Sequence, residues 1–155
     1  MTNVEFKNLM ASIPTCVAVV WGITKSNAMF GCTISSLVSV SIQPNAEEIL
    51  FVLKRVSSTG ANLRDCERFK ISVLEENQSH IAKEFSERSP ANEPYQIKHL
   101  GTWWDEVVAE FTLELSGAYE RENATLFIAK VISIRHNQHV KPLVYVNRSY
   151  QKIEN

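Results

Sequence analysis

Glycine is scarce in this chain, five residues in 155, and none of the five falls in a GxGxxG or GxxxxGKS/T pattern. That absence excludes a nucleotide cradled by a glycine loop at a helix start. A phosphate site here has to use side-chain hydroxyls and strand-edge amides. Cysteine is scarce too: Cys16, Cys32 and Cys66 are odd in number and widely spaced. Such a set builds neither a disulfide framework nor a zinc knuckle, and fits free thiols filling the core in a reducing cytoplasm. No apolar run approaches the roughly 18 residues a membrane helix needs. The opening "MTNVEFKNLM" carries an acidic residue and no continuous apolar core, so it does not read as a secretory signal. Neither sign of charge dominates, the formal net charge being -1, which gives no drive towards nucleic acid or an anionic membrane. Lys54-Arg55 is the best local basic patch. Internal repeats and low-complexity tracts are missing as well.

The composition is ordinary for a soluble globular protein, 45% hydrophobic and 21% charged. Its length suits one domain over 1–155. "VEFKNLMASI" places Val4, Phe6, Leu9, Met10 and Ile13 at near-helical spacing, an amphipathic helix ended by Pro14. "TCVAVVWGI" reads as a buried strand, "TKSNA" as a turn, and "GCTISSLVSVSIQP" as the antiparallel partner strand. "EEILFVLKR" is the next strand. "SSTGANLRDC" reads as a short helix with Ser57 or Ser58 as N-cap. "RFKISVLEE" is a strand, and "QSHIAKEFSER" a helix with Ile81 and Phe85 on one face. An irregular stretch from "SPANEPY" to "GTWWD" has the length of a lid or binding loop. "EVVAEFTLELSGAYE", "ATLFIAKVISIRH" and "PLVYVN" close the chain as strands. Consecutive antiparallel strands with only short helices predict a mainly β protein, a closed barrel of six or more strands.

One segment is unusual. In "GCTISSLVSVSIQP", Thr33, Ser35, Ser39 and Ser41 share one parity, and Ile34, Ser36, Val38, Val40 and Ile42 the other. Alternate strand residues share a face, so the segment offers a hydroxyl-rich face that is either wet or occupied by a ligand with acceptor oxygens. Ser35 and Ser36 cannot both point at one ligand from a regular strand; the strand bends, or one residue contributes its amide and the other its hydroxyl. Ser39 and Ser41 read equally well as strand residues bonded to neighbouring backbone.

"IPTCVAVVW", "GCTISSLVSVSIQP", "ILFVLKRVSSTGANL", "RFKISVLEENQSHIAKEF", "ATLFIAKV" and "PLVYVNRSY" occur in the order and spacing of the flavin reductase-like family, which the chain resembles from roughly Phe6 to Tyr150. The resemblance implies an FMN-binding split β-barrel with short flanking helices. It implies an NAD(P)H:flavin oxidoreductase, with FAD as the alternative flavin, that supplies reduced flavin to a monooxygenase partner. It also implies a homodimer. Carried over position by position, it places Thr33, Ile34, Ser35 and Ser36 along the flavin and Ser57, Ser58 and Thr59 near its phosphate. Lys54 and Arg55 neutralise that phosphate, with Lys83 as a weaker candidate. Hydroxyls and helix N-terminal amides suit a near-dianionic phosphate.

The chain departs from the family pattern at several positions. Many members carry a histidine just before the strand equivalent to "TLFIAKV", where it helps place the nicotinamide; here the residue is Ala124. Ala129, Cys16 and Val146 also differ from what the family commonly has. The competing reading is therefore an FMN-binding protein without NAD(P)H reductase activity, a flavin carrier, or an interaction module that has lost flavin. His136 and His139 form an H-x-x-H in a polar turn, a metal pair only if the turn is helical and otherwise two solvated side chains. His80 and His99 read as surface residues. Trp103 and Trp104 cap a flat ligand, or plug the barrel or a subunit interface.

Overall fold

In the computed structural model, which describes residues 1–87 and 101–154, three helices and ten strands form in the order α1 (Asn3–Ala11), β1 (Thr15–Cys16), β2 (Ala18–Ile23), β3 (Met29–Ile34), β4 (Val38–Ser41), β5 (Glu48–Lys54), α2 (Ser58–Asp65), β6 (Phe69–Val73), α3 (Ser79–Ser86), β7 (Ala109–Glu120), β8 (Ala124–His136), β9 (Leu143–Val146) and β10 (Ser149–Lys152). A 3-10 turn, Trp103–Asp105, precedes β7. The strands make an antiparallel seven-stranded sheet ordered β3-β2-β6-β7-β8-β5-β4 and a three-stranded sheet ordered β1-β9-β10. No helix among the described residues is long and apolar enough to cross a membrane.

Alternation decides which face each strand buries. Along β5, Ile49, Phe51 and Leu53 are buried while Leu50 and Val52 are only partly so. Their inward side chains join Val20, Phe69, Ile71, Leu113 and Phe127 in an inner core. Phe51 stacks on Phe127 at 5.3 Å between ring centroids and meets Phe69 edge-on at 5.9 Å. Each such buried ring contributes about 1.5–3 kcal/mol of hydrophobic stabilisation. The helix α2 closes this core: Leu63 is fully buried in it, and a Cβ on Gly60 would stand 3.3 Å from the Phe127 ring. The opposite faces of β2 and its neighbours meet α3 in a second core of Val17, Val19, Trp21, Ile81, Phe85 and Trp103. Ile81 and Phe85 are both buried there, as their four-residue spacing predicts.

Several expectations need correction. The hydroxyl-rich stretch is not one strand. Residues 29–34 pair with β2, the chain leaves the sheet at 35–37, and β4 pairs with β5 at the far end of the strand order. The two halves of the stretch thus border the seam of the rolled sheet. "TCVAVVWGI" also divides, at Val17, whose carbonyl accepts from Leu74 N while β1 leaves for the smaller sheet. The described residues form ten strands, within the expected six or more, but β10 was not foreseen; Asn147 and Arg148, both with positive φ (50° and 60°), make the tight turn that folds it back on β9. Helix α1 starts at a capping box between Thr2 and Glu5 but buries no side chain. Its Val4, Phe6, Leu9 and Met10 are all exposed, as is Ile13 just beyond it.

Candidate functional site

The end of β3 is held from three directions by three successive kinds of contact. Cys32 packs against the inner core on the α2 side, close to the Thr59 side chain. Thr33 points the other way and its hydroxyl donates to the Ala82 carbonyl of α3 at 2.7 Å. Ser36, beyond the strand end, takes hold of β5: its Oγ accepts from Val52 N at 2.9 Å and donates to Val52 O at 3.2 Å. The Val38↔Leu50 pairing of β4 with β5 puts Ser36 opposite Val52 at the next register step. A side-chain hydroxyl therefore does there what a strand backbone normally does, and the peptide groups of Ser36 itself are not engaged on Val52.

These contacts bring most of the expected residues to one rim. Ile34 is buried in the inner core, which leaves only its backbone for a ligand. Ser35 is exposed, and its hydroxyl bonds to none of the described residues. Two residues beyond Val52 comes Lys54, then Arg55 and the turn into α2, where Ser57 is the N-cap and its hydroxyl accepts from Gly60 N at 3.3 Å. An N-cap serine leaves the first-turn amides, here those of Ser58 and Thr59, without intrahelical partners. Ser58 is exposed and Thr59 buried, so the hydroxyl of Ser58 faces solvent and that of Thr59 does not. Lys54 and Lys83 are exposed, and Lys54 makes no ion pair among the described residues; Lys83 follows Ala82, the residue that Thr33 bonds. Arg55 is engaged, by Glu120 at 3.4 Å. Ser39 and Ser41 lie on the edge strand β4, Ser39 exposed and Ser41 half-buried with its Oγ accepting from Gln43 N at 3.4 Å.

Chemically, the rim offers hydroxyls, helix N-terminal amides and the Lys54 ammonium, which has no ion-pair partner among the described residues, with the carboxylate of Glu120 touching the set. That donor set fits an anion with several acceptor oxygens, and a flavin phosphate is one. The thiols do not belong to the chemistry. Burial pushes the Cys32 thiol up to about 11, against a weaker downward pull from Thr59. Burial likewise raises Cys16, and burial together with the Asp65 charge raises Cys66. All three are free thiols, and Cys32 and Cys66 pack against the inner core.

Other candidates fall elsewhere. Trp103 is buried in the outer core with Trp21 and Phe85, at ring-centroid distances of 5.7 and 5.3 Å. Trp104 tilts against Trp21 at 5.6 Å. The pair fills space under α3, outside the barrel interior. His80, His136 and His139 are exposed, and no group of metal-ligating residues forms among the described residues. His99 and "SPANEPY" lie outside the described residues. Sequence reasoning missed Glu120 and Arg64, which pair at 3.3 Å, because each reads on its own as a solvated charge. It also missed a buried carboxylate, Glu110, held by Lys70 at 2.7 Å and by Ser72, itself the acceptor of Trp21 Nε1.

Residues 10–154 match the sequence profile described as the flavin reductase like domain. The chain belongs to the flavin reductase-like family. It is an oxidoreductase by that membership. The styrene monooxygenase flavin reductase of Pseudomonas putida superposes with a TM-score of 0.82 at 26% identity over 99% of both chains. An NADH:FAD oxidoreductase of Streptomyces globisporus superposes at 0.82 and 22% identity, over 98% of this chain and 93% of its own. The actinorhodin polyketide dimerase of Streptomyces coelicolor is 27% identical over 148 residues, 93% of this chain and 82% of that protein. Within this flavin reductase fold, Ala124 opens β8 directly opposite Lys54 of β5, and Arg55 N bonds to Asn123 O. The position that departs from the family pattern thus lies on the same rim as the candidate phosphate residues.

Proposed function

We propose that this flavin reductase-like protein is an NAD(P)H:flavin oxidoreductase that takes FMN at the end of β3, with FAD as the alternative flavin. The observation that supports the reading is the pair of hydrogen bonds from Ser36 to Val52, which sets residues 33–36 beside the end of β5 that leads through Lys54 and Arg55 to Ser57, Ser58 and Thr59. The flavin, when bound, supplies the ring that accepts a hydride. The residues of the chain bind and orient. The hydroxyl of Ser58 and the amides of Ser58 and Thr59 receive the phosphate, Ser57 shapes that turn as its cap, and Lys54, Arg55 and Lys83 offset its charge. Ser35 and the backbone of Ile34 and Ser36 meet the rest of the ligand. Hydride transfer itself requires no acid–base residue from the chain.

The reading extends to one domain over 1–155, a homodimer, a cytoplasmic setting and a monooxygenase partner that takes the reduced flavin. The styrene monooxygenase flavin reductase supports the last of these by its own role, and the Streptomyces globisporus enzyme, solved also with NAD and FAD fragments, supports a nicotinamide co-substrate and keeps FAD in play. Ala124 favours a second reading, a flavin carrier that does not oxidise NAD(P)H, because it removes an imidazole donor and a flat surface from the rim. One anaerobic titration separates the two: FMN is added to the protein, then NADH, then NADPH, and the oxidised-flavin absorbance is followed. Bleaching well above the protein-free rate establishes the reductase. Bound flavin that stays yellow under both nicotinamides establishes the carrier, and absence of flavin binding refutes both.

A further inference from the structure

Glu120, the last residue of β7, reaches two arginines, Arg55 just before α2 and Arg64 in its last turn. Its Oε2 takes Arg55 Nη2 at 3.4 Å and its Oε1 takes Arg64 Nη2 at 3.3 Å. The Arg64 guanidinium also lies over the Phe127 ring, 5.8 Å from the centroid. All three side chains are about half exposed, Arg55 and Glu120 at 50% and Arg64 at 45%. Contacts of this length and exposure are weak and screened by salt, so they exchange readily for a better partner. The two oxygens carry one arginine each, so losing Arg55 leaves Glu120 partnered by Arg64. Arg64 in turn is held in place by the aromatic face beneath it.

We propose that Glu120 is a specificity-determining residue, an internal competitor that holds Arg55 until a phosphate-bearing flavin displaces it. The proposal rests on the flavin reading above and deepens it. A dianionic phosphate two residues from Arg55, at the Ser57–Ser58 turn, offers more charge than one carboxylate and accepts a forked pair of hydrogen bonds. Arg55 changes sides, and Arg64 keeps the carboxylate from being stranded. Glu120 thereby lowers affinity for every anionic occupant of the rim and leaves a flavin without phosphate untouched. Arg64 has the opposite influence: by sharing the carboxylate it loosens the hold on Arg55.

The test is a set of flavin-fluorescence titrations with FMN and, separately, riboflavin, on the wild-type chain, Glu120→Gln, Arg64→Gln, Arg55→Gln and the Glu120→Gln/Arg55→Gln double variant. Glu120→Ala removes the same carboxylate and serves if the glutamine variant melts low. Removing Glu120 is expected to tighten FMN about two- to fivefold, the range set by one exposed ion pair. Arg64→Gln is expected to weaken FMN by a similar factor, riboflavin is expected to be unchanged in both, and the gain from Glu120→Gln is expected to vanish in the Arg55→Gln background. An equal gain for riboflavin, or a gain that survives the loss of Arg55, overturns the proposal in favour of a general effect on the site. Unchanged FMN affinity in Glu120→Gln, with the wild type binding FMN, overturns it and leaves the flavin reading standing. A wild type that binds neither flavin overturns both.

Discussion

Ser36 and Val52 are joined through both backbone polar groups of one residue, Val52 N to Ser36 Oγ at 2.9 Å and Ser36 Oγ to Val52 O at 3.2 Å. The hydroxyl of Ser36 ties the segment between β3 and β4 to β5, where β3 and β5 share no backbone pairing. Ser35, its neighbour, makes no such bond and is exposed.

The two serines should therefore separate stability from binding. Ser36→Ala leaves a partly buried N–H and C=O without partners and is expected to cost about 1–2 kcal/mol in urea unfolding. Ser35→Ala is expected to leave the unfolding curve in place and weaken FMN binding. If Ser35→Ala binds FMN as the wild type does, the rim is not where the flavin lies.

Ala124→His restores an imidazole opposite Lys54. Steady-state NADH oxidation with FMN should rise on the order of tenfold, about 1.4 kcal/mol of transition-state stabilisation. Absence of any gain would show that the nicotinamide is positioned by other groups.

Cys32 links stability to alkaline pH. Its thiol titrates near 9.0 when unfolded and is pushed up to about 11 in the fold by burial. The folded state thus keeps a proton that the unfolded state loses, so the contribution is whole below pH 9 and declines as pH rises through 11. Cys16, Cys66 and Tyr150 are also raised and add to the same decline. Cys32→Ser keeps a small polar group beside Thr59 and does not titrate there. Thermal melts across that window should fall less steeply for the variant; parallel curves would mean that the thiol is no more shielded than in the unfolded chain.

Gly31 on β3 has no room for a methyl group. A Cβ there would lie 2.7 Å from Val20 O and 2.9 Å from Trp21 Cβ, both on the adjacent strand. Gly31→Ala is expected to cost about 1–3 kcal/mol, read by chemical denaturation, because backbone has to move to admit it.

How far the sequence reached depends on whether the information was local. Period-two patterning found β5, β6, β7 and β8, and the serine cap found α2 at Ser57. The adjacency of Ser35 and Ser36 left open a bend or a division of labour between amide and hydroxyl, and the chain does leave the sheet at 35–37. Which edge β4 joins is not a local property: parity says that a strand has two faces and nothing about its neighbour. β10 was lost because its turn is Asn147-Arg148, and an arginine at φ 60° lacks the glycine signal that announces such hairpins. The Glu120 pairs span 65 and 56 residues, distances over which no charge pattern is readable. For Trp103 and Trp104 the sequence left a ligand cap and a plug both open, because the choice depends on Trp21 and Phe85, on other elements, which give Trp103 a buried place to stand.

Helix α1 has a consequence of its own. Arg148 Nη2 ties Asn8 at 2.9 Å and Asn147 N ties Ala11 O at 2.6 Å, so the hairpin turn grips the helix by its carboxyl end alone. Nine residues are too few for a helix to persist unaided in water, and no side chain of this one is buried. Its opening should be a local event of small free energy that leaves the barrel's amides protected. In hydrogen exchange the first turns of α1 should label long before β6 or β8 do. Protection gained there on adding another molecule would report contact with that side of the protein, which makes the helix a built-in gauge of whatever docks against it.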